Sequence, residues 1–251
     1  MVSDSKQLKW GKLSSKLPNM TIILGVKCID GIVLVGDRKL SDSNKTDFSY
    51  GDKITGEVEG FLTAFSGDKS VFDLFRIKLR EYTELKQPIT RADTMVLLVH
   101  QIMTELNQAF RHYEFDVLLA ISGSKYLDGI SRLYYFFPDG RIEEIDNEKP
   151  YKCIGSGYTH STIFLKKIWK NDMKMEETAQ LGYFIVKYIV KFKLDDSIGV
   201  GNNPPFHVPQ IHYLPNNQNE KRLDDKKLEQ FDLITDEKLE KFEKSLNDVF
   251  V

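Results

Sequence analysis

The sequence predicts an α+β fold of the αββα type, a four-layer sandwich of two antiparallel sheets between helix pairs. Three observations predict it. Short β-rich runs are joined by two-residue turn signals, as antiparallel strands are. Helical periodicity comes in pairs rather than after every strand, which argues against a doubly wound parallel sheet. The composition, 41% hydrophobic and 12% aromatic over 251 residues, supplies core for one large domain or two small ones.

The elements follow in order. Residues 21–29 are β-rich and mostly apolar. Asp30-Gly31 is a hairpin signal, because both positions tolerate φ > 0, and 32–36 reads as the return strand. The stretch 40–50 is polar and loop-like. A second strand pair is expected over 52–58 and 61–65, with Glu59-Gly60 as its turn. The period then changes. Val71, Leu74, Phe75, Leu79 and Tyr82 recur at helical spacing, as do Val96, Val99, Met103, Leu106 and Phe110, with Pro88 between the two helices. Strands resume over 115–121, 133–137 and 141–145, the last two joined at Pro138-Asp139-Gly140, and one more ends at Ile154. A second helix pair is expected near 161–170 and 176–194. A last strand follows over 207–213, then a polar linker, then a short surface helix over 236–249. The organisation expected is a leader over 1–20, one domain over 21–215 and a charged C-terminal extension over 216–251.

Composition narrows the function classes. A net charge of -2, from 35 basic and 37 acidic residues, leaves no electrostatic footprint for nucleic acid or an anionic membrane. No apolar run approaches the ~20 residues that span a bilayer. Residues 1–20 are Lys- and Ser-rich without an apolar core, so they do not read as a secretory signal. Cys28 and Cys153 lack metal-ligand spacing and read as buried free thiols, suited to a cytoplasmic setting. The five His are scattered, none at i, i+4 on a helix, which argues against a zinc hydrolase. Gly199-Val200-Gly201 lacks the rest of a phosphate loop, and Gly123-Ser124 is no nucleophile elbow. No cofactor and no metal are expected.

The hairpin Thr-Ile-Ile-Leu-Gly-Val-Lys-Cys-Ile-Asp-Gly-Ile-Val-Leu-Val-Gly-Asp-Arg resembles the opening of proteasome beta-type subunits, which are N-terminal nucleophile hydrolases with an αββα sandwich. In that family a catalytic Thr stands first. An Asp follows sixteen residues later, a Lys thirty-two later, and forty-six later a Gly whose backbone N–H faces the oxyanion. Counted from Thr21, those positions are Asp37, Lys53 and Gly67. Gly155-Ser156-Gly157 is similar to the family's Gly-Ser-Gly, whose Ser supports the nucleophile's amine. Asp195 aligns with the Asp of the family's Asp-x-x-Ser-Gly, but Ile198 stands where that Ser belongs, so Ser197 or Asp196 would have to substitute. Taken singly, each of these is an ordinary strand, turn or surface residue. Only the joint spacing is specific.

The chemistry of these residue types agrees with the resemblance. A Thr hydroxyl needs an adjacent base. A free α-amine, with a pKa of roughly 7.7–8.0, serves as one near neutral pH, where a free Lys at about 10.4 does not. Lys53, held charged by Asp37, would lower the hydroxyl's pKa and disfavour protonation of the amine. Gly67 precedes a predicted helix, where backbone donors and the dipole favour developing negative charge.

The resemblance thus implies a threonine peptidase acting on polypeptide within a homo- or hetero-oligomeric ring, with Thr21 exposed by removal of the leader. Self-cleavage or removal of Met20 by an aminopeptidase would achieve that. Alpha-type subunits share the fold but carry an ordered N-terminal helix and lack the Thr. With Thr21 present and no amphipathic helix in the leader, the beta type is expected. Two alternatives remain: a non-catalytic beta-like structural subunit, and an enzyme passing its acyl group to an amine, a peptide ligase. Phe65, beside the oxyanion loop, is expected to shape the substrate pocket.

Overall fold

The computed structural model describes residues 21–41, 48–85, 91–110, 115–123, 129–204, 207–216 and 221–250. The expected leader, Pro88 and most of the polar loop over 40–50 lie outside them.

Two five-stranded antiparallel sheets stack face to face. The first runs in the order β10 (Tyr151–Ile154), β1 (Ile23–Cys28), β2 (Gly31–Gly36), β11 (Gln210–Pro215), β12 (Lys221–Arg222). The second runs β5 (Ile54–Val58), β6 (Phe61–Ser66), β7 (Asp116–Ile121), β8 (Arg132–Phe136), β9 (Ile142–Glu144). A small ladder of β3 (Lys39–Ser41) and β4 (Phe48–Tyr50) stands apart, so part of the stretch expected to be loop is paired strand. Helices α1 (Lys69–Leu85) and α2 (Ala92–Ala109) cover the second sheet, and α3 (Tyr158–Ile168) and α4 (Met175–Lys191) cover the first. This is the αββα sandwich that the paired helical periods imply.

The strand sequences explain the layering. An antiparallel sheet with one wet face alternates apolar and polar residues. Here the inner strands β1, β2, β6 and β7 are mostly apolar, because both faces of each sheet are covered there, while the edge strands β9 and β12 are polar and exposed. Leu24, Val33 and Val35 pack under α3 and α4, while Ile23, Ile32 and Leu34 point between the sheets. In the second sheet Phe61, Phe65, Val117 and Leu119 meet α1 and α2, while Leu62, Ala64, Leu118 and Ala120 complete the inter-sheet core. Each successive side chain switches layers, as the period of two requires.

Several boundaries differ from the expectation. The first hairpin turns at Ile29-Asp30, and Gly31 already pairs with Cys28 as the first residue of the return strand. The C-terminal helix, α5 (Asp225–Phe250), starts eleven positions before the expected 236 and is not confined to the surface. Leu223, Leu228 and Phe231 belong to the same apolar cluster as α4, and Leu239 is fully buried. Cys28 and Cys153 are free thiols, each pushed up to about 12 by burial.

Candidate active site

Strand ends bring the predicted residues together. Thr21 lies two residues before β1 and Asp37 immediately after β2. The register places Ile23 opposite Gly36, so Thr21 and Asp37 meet at one end of the sheet. The Asp37 N–H donates to the Ile22 carbonyl at 3.1 Å and closes that end. On the other side of β1, Ile154 pairs with Ile23, which brings Gly155, Ser156 and Gly157 beside Thr21. Lys53 enters from the second sheet, one residue before β5.

Asp37, fully buried, organises the cluster. Its Oδ1 accepts from Thr21 Oγ1 at 2.9 Å, from the Ile22 N–H at 3.0 Å and from Lys53 Nζ at 2.7 Å. Its Oδ2 accepts from the N–H groups of Lys39 and Gly199, both at 3.2 Å. Lys53 Nζ also donates to Thr21 Oγ1, so the three side chains form a closed triangle of hydrogen bonds. Such charge-assisted bonds are stronger than neutral ones, and burial strengthens them further. Burial also pushes the Lys53 pKa down. The Asp37 carboxylate opposes that shift, and the net direction is downward.

Ser156 Oγ donates to the Thr21 carbonyl at 3.3 Å and lies 2.7 Å from Ser197 Oγ. Ser197 donates both its hydroxyl and its N–H, the latter at 2.9 Å, to Asp195 Oδ1. Burial raises the Asp195 pKa, but the Ser156 and Ser197 donors outweigh it, so the carboxyl lies below the ordinary range. Of the two substitutes named for the absent Ser, the hydroxyl in this cluster is that of Ser197. Asp196 is exposed, and its backbone carbonyl accepts from Lys39 Nζ at 2.6 Å. Ile198 is buried against Gly157 instead.

Gly155 has φ 88°, a conformation L side chains rarely adopt. A Cβ there would stand 2.2 Å from the Thr21 carbonyl oxygen and 2.4 Å from its Cγ2. Only glycine lets this turn press against Thr21. Gly67, at φ 148°, lies between β6 and α1. The Phe65 N–H donates to the Lys53 carbonyl at 3.1 Å, which ties the Gly67 turn to Lys53. Phe65 itself is only 3% exposed and stacks between Phe72 at 4.9 Å and Phe115 at 5.5 Å. Strand alternation sends it into the helix-covered core rather than into a pocket at the site.

Of the six predicted residues, Thr21, Asp37 and Lys53 are in mutual contact and Ser156 and Asp195 lie beside them, while Gly67 follows β6 two residues beyond the Phe65–Lys53 hydrogen bond. Missed by the sequence were the backbone donor of Gly199 and the steric role of Gly155. Neither main-chain contact leaves a residue-type signal. Among the described residues no group of His, Cys, Asp and Glu could hold a metal ion, and no helix is long and apolar enough to cross a membrane.

A family model described as proteasome subunit matches residues 19–198. Proteasome subunit alpha of Metallosphaera sedula is 26% identical over 188 residues, which is 71% of this chain and 72% of that protein. Proteasome subunit alpha of Picrophilus torridus is 25% identical over 195 residues, 74% of this chain and 80% of that one. Among solved structures, Anbu (ancestral beta-subunit) from Yersinia bercovieri superposes with a TM-score of 0.70 at 13% identity, covering 92% of this chain and 96% of that one. Anbu from Hyphomicrobium sp. strain MC1, as a Gly-1 mutant, gives a TM-score of 0.70 at 14% identity over 90% of this chain and 96% of its own. At these identities the structural likeness is one of fold.

Proposed function

We propose that this chain, which belongs to the proteasome subunit family, is a beta-type threonine peptidase whose nucleophile is Thr21 once residues 1–20 are removed. The single observation that supports this best is the buried triangle of Thr21 Oγ1, Asp37 Oδ1 and Lys53 Nζ.

The chemistry has two stages. While the leader is attached, the Thr21 nitrogen is an amide and cannot act as a base. Lys53 is then the amine in contact with the hydroxyl, and burial shifts its pKa downward, toward the range in which an amine can take up a proton. Thr21 Oγ1 attacks the Met20 carbonyl carbon and its proton passes to Lys53. The Met20–Thr21 C–N bond breaks, the departing nitrogen takes that proton, and water hydrolyses the ester left on Oγ1. Thr21 now carries a free α-amine. On a polypeptide substrate this amine takes the hydroxyl proton during attack. The Gly67 N–H faces the oxyanion, where removing one such donor typically costs about 10²–10³ in rate. The leaving amine collects the proton, and water releases the acyl group and restores the hydroxyl. Asp37 holds Lys53 and Thr21 in register, and the Ser156–Ser197–Asp195 chain steadies the Thr21 main chain.

The substrate class is unfolded polypeptide, admitted to a chamber formed by a ring of proteasome-like subunits. A second reading, a non-catalytic subunit, is favoured by the alpha-type names of the relatives matched by sequence. Rapid quench of the purified protein with a peptide ester separates the two. The peptidase reading predicts an acyl adduct on the peptide that begins with Thr21. It also predicts that Thr21→Ala protein keeps its leader and forms no adduct. Undiminished peptide cleavage by Thr21→Ala protein would overturn it.

A further inference from the structure

One buried side chain outside the triangle joins the two sheets beneath it. Gln210 opens β11 opposite Gly36, the residue before Asp37, and is 1% exposed. Its Oε1 accepts from the N–H groups of Lys53 at 2.8 Å and Ile54 at 3.0 Å. Its Nε2 donates to the Ile54 carbonyl at 2.6 Å and lies 2.9 Å from His212 Nε2. One side-chain amide thus engages three main-chain groups of Lys53 and Ile54.

We propose that Gln210 is a positioning residue for Lys53, fixing its main chain so that the amine head stays on Thr21 and Asp37. The inference rests on the proposed role of Lys53 as the amine held on Thr21 Oγ1 and extends it to a residue in another strand. The topology explains the need. Among the described residues β5 is the edge of the second sheet, paired with β6 alone. The main-chain groups on its far side have no strand to pair with, and a buried main-chain donor left unpaired costs about 1–3 kcal/mol. Gln210 reaches across from the first sheet and supplies a peptide-like group at the residue whose side chain enters the site.

The network also fixes which way the amide points. With Oε1 facing two N–H groups and Nε2 facing a carbonyl, the second Nε2 proton goes to His212, whose Nε2 must accept it. His212 is therefore the neutral Nδ1–H tautomer. Burial, reinforced by Arg222 and Arg38 and opposed by Asp52, lowers its pKa to about 4 and keeps it neutral at working pH. Holding the head group to the needed tolerance matters because a displacement of about 1 Å can cost on the order of 10²-fold in rate.

The test uses Gln210→Met, which conserves volume while removing all four hydrogen bonds, and Gln210→Asn, which withdraws the same amide by one methylene. Two readouts are taken on the full chain. Peptide cleavage kinetics should show kcat reduced by on the order of 10²-fold with KM within about two-fold of wild type, as for a group that acts on the chemical step. Carbon-13 NMR titration of the lysine ε-carbons, with Lys53 assigned by its loss in Lys53→Met protein, should show the Lys53 midpoint moving up toward the ordinary value of about 10.4 as water reaches the loosened site. A protein without peptidase activity defeats the proposed function, yet the titration still tests Gln210. A folded Gln210 variant with wild-type kcat, or with an unmoved Lys53 midpoint, would overturn the inference.

Discussion

Asp37 accepts five hydrogen bonds, from two side chains and three main-chain amides. It is therefore a structural keystone as well as a partner for Lys53, and its replacement would disturb fold and activity together. Lys53 isolates the chemistry better. Lys53→Ala should reduce the rate of peptide cleavage by about 10²–10⁴, the usual contribution of a positioned proton carrier; stopped assays on the mature enzyme measure it, and unchanged activity would exclude the triangle. His212 predicts a pH effect on stability. Its folded pKa of about 4 lies below the unfolded value of about 6.5. Between these the unfolded chain binds a proton that the folded chain refuses, so stability is full above about pH 6.5 and declines as pH falls toward 4. The loss is on the order of 3 kcal/mol, and His212→Leu should flatten that slope in urea titrations taken across the window. At this scale Thr21, Asp37 and Lys53 were legible because fixed strand registers turn spacing into proximity. Gln210 and His212 were not. Gln210 acts through main-chain groups of residues more than 150 positions away and His212 through Gln210, and one polar side chain in a short strand carries no pattern.

The element that most changes the picture is α5. Its charged sequence disguises an apolar stripe, and Leu228, Phe231 and Leu239 are buried along it. Phe231 meets Tyr183 of α4 edge-to-face at 6.1 Å, and Tyr183 Oη donates to Asp232 at 2.6 Å. Lys187 and Lys191 of α4 pair with Asp232 and Glu243 at 2.6 and 3.0 Å. α5 is thus a further layer on α4, and Phe231→Ala should cost about 3–5 kcal/mol, the range for deleting a buried aromatic ring. A thermal melt of the variant measures it; a loss below ~0.5 kcal/mol would mark α5 as a surface appendage. The strands and the four sandwich helices were legible because burial on both faces makes their apolar periods strong. The early start of α5 was hidden because its first turns are mostly Lys, Asp and Glu, and the stripe emerges only over several turns.

At the scale of the molecule, two sheets meet so that their strand ends open onto one site, and family membership places the chain among ring-forming subunits. The proposed ring predicts that sedimentation velocity of the native protein gives an assembly of several chains; an active species near 29.0 kDa would reject the ring and leave the chemistry untouched. The central claim is narrower, that Thr21 becomes an N-terminal nucleophile, because the base it needs on substrate is its own amine. The amino-terminal residue of the protein purified in active form from its own cells tests this most directly. The account predicts Thr21, followed by Ile22 and Ile23. An active protein that still begins at Met1 or Val2 would contradict it.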